Sequence, residues 1–247
     1  MKLHAIAYNQ QDNYAYFVES EKLNLLVDAG NFEDITTFLD THNLKPDYIL
    51  LTHQHGDHVA DAPKFKEKYG AKIIAAAVSP LDYADLNEKD VADLGLSFQQ
   101  LSGHTEDSGL WLLDDENAQP FAAFTGDVIF SCGCGRQFQG IDERLLNAME
   151  HIKQLDNRYK LCCGHEYALT NVKFCLEYFA DDIPLLNYFH RLQVKAVAGE
   201  PTMPINLETE KQVNPFLRFD EEILWQKIDV NSPLDFVIKL RKLRDQY

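Results

Sequence analysis

No stretch of this chain approaches the roughly 20 consecutive apolar residues a bilayer-spanning helix needs, which excludes an integral helical membrane protein. Basic residues are scarce, 23 Lys and Arg against 39 Asp and Glu, for a formal charge of −16. A chain so charged lacks the broad cationic face with which nucleic-acid binders displace counterions from phosphates, and a general nucleic-acid role is excluded with it. The five cysteines, at 132, 134, 162, 163 and 175, are odd in number and form no Cys-x-x-Cys step. They suggest reduced structural thiols rather than a disulfide framework or a sulfur-rich metal site. Met1 to Gln10 holds no sustained apolar stretch, so no secretory leader is expected and a cytoplasmic setting is. Repeats and low-complexity segments are absent as well. What remains is ordinary globular material, 45% hydrophobic and 25% charged over 247 residues, enough for one large domain or two smaller ones.

Against that background, Thr52-His53-Gln54-His55-Gly56-Asp57-His58 concentrates three imidazoles and a carboxylate in six residues. The apolar Tyr48 to Thr52 reads as a buried strand, and in an extended chain alternate side chains share a face, so His53, His55 and Asp57 are expected to converge. Val59, Ala62, Phe65 and Tyr69 at helical spacing predict a helix over 59–69, with Asp57 and His58 at the strand-to-helix turn. A lone histidine is usually an ordinary hydrogen-bonded residue, and His4, His42, His151 and His190 are read that way. Several neighbouring imidazoles and a carboxylate buried without a cation would leave competing polar atoms and desolvated charge, so this stretch is read as a metal site.

Three later segments set a glycine and a ligand type beside an apolar run: Gly103-His104 before Gly109–Leu113, Gly126-Asp127 after Phe121–Phe124, and Gly164-His165 after Leu161–Cys163. Each is weak alone. Adding His104, Asp127 and His165 to the first cluster makes seven candidate ligands, more than one tetrahedral zinc requires, and two metal ions are the natural inference.

These residues in this order resemble the metallo-β-lactamase superfamily, over roughly residues 1–168. The resemblance implies a four-layer αββα sandwich of α/β class with metals held by loops along one edge of the packed sheets. His53, His55 and His104 would hold one ion, Asp57, His58 and His165 the other, and Asp127 would bridge them. Within the superfamily, Asp12-Asn13-Tyr14, Phe124 to Phe130, Gly133-Cys134-Gly135-Arg136 and Cys163-Gly164-His165-Glu166-Tyr167 are similar to glyoxalase II, the hydroxyacylglutathione hydrolases. So are Asn214-Pro215-Phe216-Leu217-Arg218 and the basic end, where Lys239, Arg241, Lys242 and Arg244 face a single Asp245.

That closer resemblance implies a helical glutathione-binding domain over 169–247 after the catalytic domain, and a monomer acting on a small glutathione thioester, S-D-lactoylglutathione. It implies two divalent ions, zinc first with iron or manganese as the other choices. Asp57 and Asp127 would be the catalytic carboxylates, and Arg136, Phe138, Tyr167, Arg241 and Arg244 the substrate contacts. The chain departs from the pattern at Gln54 and Gly56, at Arg136 in place of a lysine, and at Phe138 where an aromatic hydroxyl is usual. A persulfide dioxygenase with one iron, a lactonase of the same fold, and a noncatalytic protein stabilised by metal are the competing expectations.

Overall fold

The computed structural model describes residues 1–10 and 12–247. Its first sheet runs β1 (Lys2–Tyr8), β2 (Asn13–Glu19), β3 (Asn24–Val27), β4 (Tyr48–Leu50) and β5 (Lys72–Ile74) in sequence order, antiparallel up to β3 and parallel from β3 to β5. The second sheet begins with β6 (Leu96–Gln100), β7 (Gly109–Asp114) and β8 (Pro120–Gly126). A short pair, β9 (Ile129–Phe130) and β10 (Gly133–Cys134), follows, and β11 (Lys160–Cys163) and β12 (Ile205–Asn206) complete the second sheet in the order β12-β11-β8-β7-β6.

Both faces of the first sheet are apolar, because residues alternate along each strand. On β2, Ala15 and Phe17 join Ile35 and Leu39 of α1 (Phe32–Thr41), and with them Phe65 of the helical segment Ala62–Tyr69. Tyr14, Tyr16 and Val18 face the other way, into a cluster that includes Trp111 and Phe124 of the second sheet. Packing of two sheets with helices outside gives the layered α/β architecture that the motif order implied.

The segment read as one helix over 59–69 forms two: α2 (Gly56–Val59) and α3 (Ala62–Tyr69), separated at Asp61, with a proline in the first turn of α3. Proline has no N–H to give and fits only an opening turn, so a continuous helix through Pro63 is disfavoured. The strand also ends at Leu50, so the ligands converge through a loop and the turn of α2 rather than by strand alternation.

After α4 (Glu143–Gln154), the helices α5 (Ala168–Tyr178), α6 (Ile183–Ala198), α7 (Leu207–Val213), α8 (Glu222–Lys227) and α9 (Pro233–Gln246) pack apolar side chains into the cluster beneath the second sheet. They also grip the β9–β10 turn. Asn214, from the Asn-Pro-Phe-Leu-Arg stretch, donates to the carbonyls of Phe130 and Gly133. Glu210 on α7 accepts from the Cys132 amide and the Ser131 hydroxyl, holding Cys132 at a left-handed φ of 52°.

Glu210 is fully buried, and burial pushes its carboxyl from 4.5 up to about 7 despite those donors. The unfolded chain releases this proton at a lower pH than the fold does, so the native state binds more protons between about 4.5 and 7. Stability from this group is full below the unfolded value and is lost as pH rises through the folded one. Over the whole window that loss is on the order of 3 kcal/mol. Thermal melts of wild type and Glu210→Gln from pH 5 to 7.5 should show the difference between them shifting against wild type as pH rises. A pH-independent difference would rule the mechanism out.

Candidate metal centre

The centre lies where strand ends meet. Parallel pairing of β8 with β11 sets Cys163 against Gly126 and shifts register there, so Gly126-Asp127 and Gly164-His165 leave the sheet side by side. Parallel pairing of β3 with β4 puts Asp28 beside the segment Leu51-Thr52-His53 in the same way. His104 comes from the β6–β7 connection, and His55 caps α2, whose single turn carries Asp57 and His58.

Seven donor atoms gather into two adjacent groups, His53, His55, His104 and Asp127 in one and Asp57, His58 and His165 in the other, each within 4.8 Å internally. Asp127 also faces the second group. Its Oδ1 is 3.4 Å from His58 Nε2, and its Oδ2 lies 3.3 Å from His165 Nε2 and 3.4 Å from His104 Nε2. Gly164 makes this closeness possible, since a Cβ there would overlap Asp127 Oδ1 and stand 2.6 Å from His58 Cε1.

The outer nitrogens show that these residues suit cations. Nδ1 of His104 meets the Arg136 carbonyl at 2.9 Å, Nδ1 of His165 the Asp12 carbonyl at 3.2 Å, and Nδ1 of His58 the Asp28 carboxylate at 2.7 Å. Carbonyls and carboxylates only accept, so each Nδ1 carries a hydrogen, and in the neutral ring that a metal requires each Nε2 turns a bare lone pair inward. Nε2 of His53 and of His104 lie 3.1 and 2.9 Å from Nδ1 of His55, so at most one ring hydrogen, from His55, serves all three. Among the described residues, His58 Nε2 and Asp127 Oδ1 are buried with no hydrogen-bond partner. Orphaned acceptors crowded out of water are the signature of ligands arranged for a metal.

The same field holds protons there when cations are lacking. Burial opposes charge on His58 and His165, but Asp28, Asp127 and Asp57 hold His58 up to about 9, and Asp127 and Asp57 hold His165 up to about 10. Burial pushes the His53 and His104 imidazoles down. The hydrogen bond from His165 is the chief reason the Asp57 carboxyl sits far below the carboxylate range. Asp127 sits equally low, where His58 and His165 overcome its burial.

A cleft of about 380 Å³ opens over the centre, and the five residues expected to contact substrate all line it. Phe138 is 62% exposed at the rim, its ring 5.5 Å from that of His55 and 5.3 Å from that of His104. Tyr167 stacks on His165 at 4.7 Å. The three arginines differ. Arg136 is exposed and pairs with Asp245. Arg241 is buried, with Nη1 on the Cys134 carbonyl and Nη2 on Asp245, so it fixes the cleft wall as much as it faces the cleft. Arg244 donates through Nε to the Asn171 amide oxygen and lies over the rings of Phe174 and Tyr247, and no carboxylate within salt-bridge distance offsets its charge among the described residues.

Sequence reasoning missed Asp28, Thr52 as more than a strand end, Asn13 as the donor to Asp57 Oδ2 at 2.9 Å, the cleft residue Asn171, and Asp245 as the partner of Arg136 and Arg241. Asp28 had a readable signal, because Leu25-Leu26-Val27-Asp28-Ala29-Gly30 repeats the apolar run followed by a ligand type near glycine. Asn13, Asn171 and Asp245 are joined to the site only by long-range packing.

Residues 9–84 match the family model described as the metallo-beta-lactamase superfamily, and residues 166–247 match that of the hydroxyacylglutathione hydrolase C-terminus. Among curated relatives, a hydroxyacylglutathione hydrolase of Rhodopseudomonas palustris (strain BisB5) is 35% identical over 218 residues, 85% of this chain and 84% of the relative. One from Psychromonas ingrahamii is 31% identical, the match covering 96% of each chain. A metallo-beta-lactamase crystal structure from Staphylococcus aureus shares the fold, with a TM-score of 0.63 and 20% identity over 98% of this chain and 71% of that one.

Proposed function

The chain belongs to the hydroxyacylglutathione hydrolase family of the metallo-β-lactamase superfamily, and from that premise we propose how its residues divide the work. The protein is a thioester hydrolase that converts S-D-lactoylglutathione and water to D-lactate and glutathione. The observation that carries the reading is the pair of adjacent donor groups opening on a cleft with an unneutralised arginine.

His53, His55 and His104 would hold one divalent ion and Asp57, His58 and His165 a second, with Asp127 offering an oxygen to each. Zinc is the first choice for imidazole and carboxylate donors, and iron and manganese suit them too. A bound pair would supply Lewis acidity, lowering the pKa of water and polarising a carbonyl oxygen. Asp57 is half-exposed at the cleft, and Asn13 holds one of its oxygens while His165 crowds it, which suits it to orient a water. The leaving thiolate has a conjugate acid near pKa 8.5 and departs without a general acid. Tyr167 presents a hydroxyl beside the centre, and Phe138 offers an apolar face at the rim.

Glutathione carries two carboxylates, and Arg244 is the cation best placed to meet one. Arg244→Ala should raise KM roughly tenfold and leave kcat within about threefold, the pattern of an interaction equal in ground and transition states. A fall in kcat at constant KM would reassign the residue. Five buried free thiols favour a reducing compartment such as the cytoplasm, and no helix among the described residues is long and apolar enough to cross a membrane.

The decisive assay is hydrolysis of S-D-lactoylglutathione by purified protein before and after chelation. Turnover that chelation abolishes and zinc restores is expected. Fully metallated protein without turnover would shift weight to persulfide oxidation, which a single iron serves and for which the second group of ligands has no use.

A further inference from the structure

The structure assigns to Asp28 a role in both metal sites at once: one buried carboxylate positions His58 of the second group directly and His53 of the first group through the Thr52 hydroxyl. This inference rests on the two-metal reading above.

Asp28 lies just past the end of β3, 2% exposed, with a left-handed φ of 61°. Its Oδ2 receives His58 Nδ1 at 2.7 Å. On its other side it accepts the Thr52 amide at 2.9 Å, while the Thr52 hydroxyl lies 3.0 and 2.9 Å from its two oxygens. Thr52 Oγ1 is also 3.1 Å from His53 Nδ1. A hydroxyl owns one hydrogen, and the carboxylate claims it, so the threonine oxygen has only lone pairs left for the histidine. His53 must then carry its hydrogen on Nδ1 and present Nε2 to the first group. No lysine or arginine pairs with Asp28 among the described residues. Its charge is therefore answered only through the two ligand chains, and it raises the donor strength of both imidazoles in turn.

The two branches can be cut separately. Thr52→Val removes the hydroxyl, keeps the shape and the amide bond, and severs only the His53 branch; Thr52→Ser restores it. Asp28→Asn weakens both, because it removes the charge that feeds both imidazoles and leaves one accepting oxygen for three donors. Zinc affinity for each equivalent is read by competition with a chromogenic chelator, and histidine tautomers by nitrogen-15 NMR of the metal-free protein. Thr52→Val should weaken one zinc equivalent about tenfold or more, spare the other, and release His53 from its single tautomer, while Thr52→Ser returns both readouts to wild type. Asp28→Asn should weaken both equivalents.

Unchanged affinities and an unchanged His53 tautomer in Thr52→Val would overturn the proposal, as would equal weakening of both equivalents by that variant. The Thr52 series decides the matter even where Asp28→Asn fails to fold. Wild-type protein binding fewer than two zinc ions would instead defeat the two-metal reading.

Discussion

Asp127→Ala is expected to lower kcat/KM by roughly 10³-fold or more, a loss of about 4 kcal/mol of transition-state stabilisation, while leaving the fold unchanged. The side chain lies within 3.4 Å of ligands in both groups, so it is the one donor whose removal strips an oxygen from each. Its Oδ1 has no hydrogen-bond partner among the described residues, and its polar neighbours are the imidazoles of the centre. Nothing in the framework hangs on it. Far-UV circular dichroism of the metal-free variant should match wild type, and metal analysis should find fewer than two ions per chain. A variant that keeps both metals and wild-type turnover would remove Asp127 from the centre.

Gly164→Ala should cost nearly as much, on the order of 10²-fold in kcat/KM, from a single methyl group. That methyl would overlap Asp127 Oδ1 and press on the His58 ring. Gly164 is itself tied by hydrogen bonds to Gly126 and to Tyr14, so the backbone cannot swing aside cheaply. The ligands must yield instead, and displacement of catalytic groups by about 1 Å is enough for losses of this size. Zinc affinity and turnover measured on the same preparation would test this, and an alanine variant with wild-type values for both would show that the turn has slack.

The seven donor residues were readable because metal chemistry restricts residue type, and because four of them fall within six residues of one another. The reasoning behind their convergence was only partly right. Strand alternation was expected to align His53, His55 and Asp57, whereas the strand stops at Leu50 and the turn of α2 delivers Asp57 and His58. Local apolar periodicity does not record where a strand gives way to a turn. The sequence showed a glycine beside each later ligand type without its reason; at Gly164 that reason is the closeness of two ligand side chains, a property of three segments rather than one. Arg241, Arg244 and Arg136 look alike in sequence; burial and the reach of Asp245 distinguish them.

The sequence alone determined the donor set, the number of ions it can serve, and the tail that resembles the hydroxyacylglutathione hydrolases. Those follow from side-chain chemistry and residue spacing, which are written locally. Tertiary structure decided the division of the donors into two groups, the nitrogen each histidine turns inward, and the carboxylate that reaches both groups. It also decided which arginine keeps its charge free. Each of these depends on parallel strand ends and helices brought together from distant parts of the chain, where the energy of a buried polar atom is set by what packs beside it rather than by what precedes it.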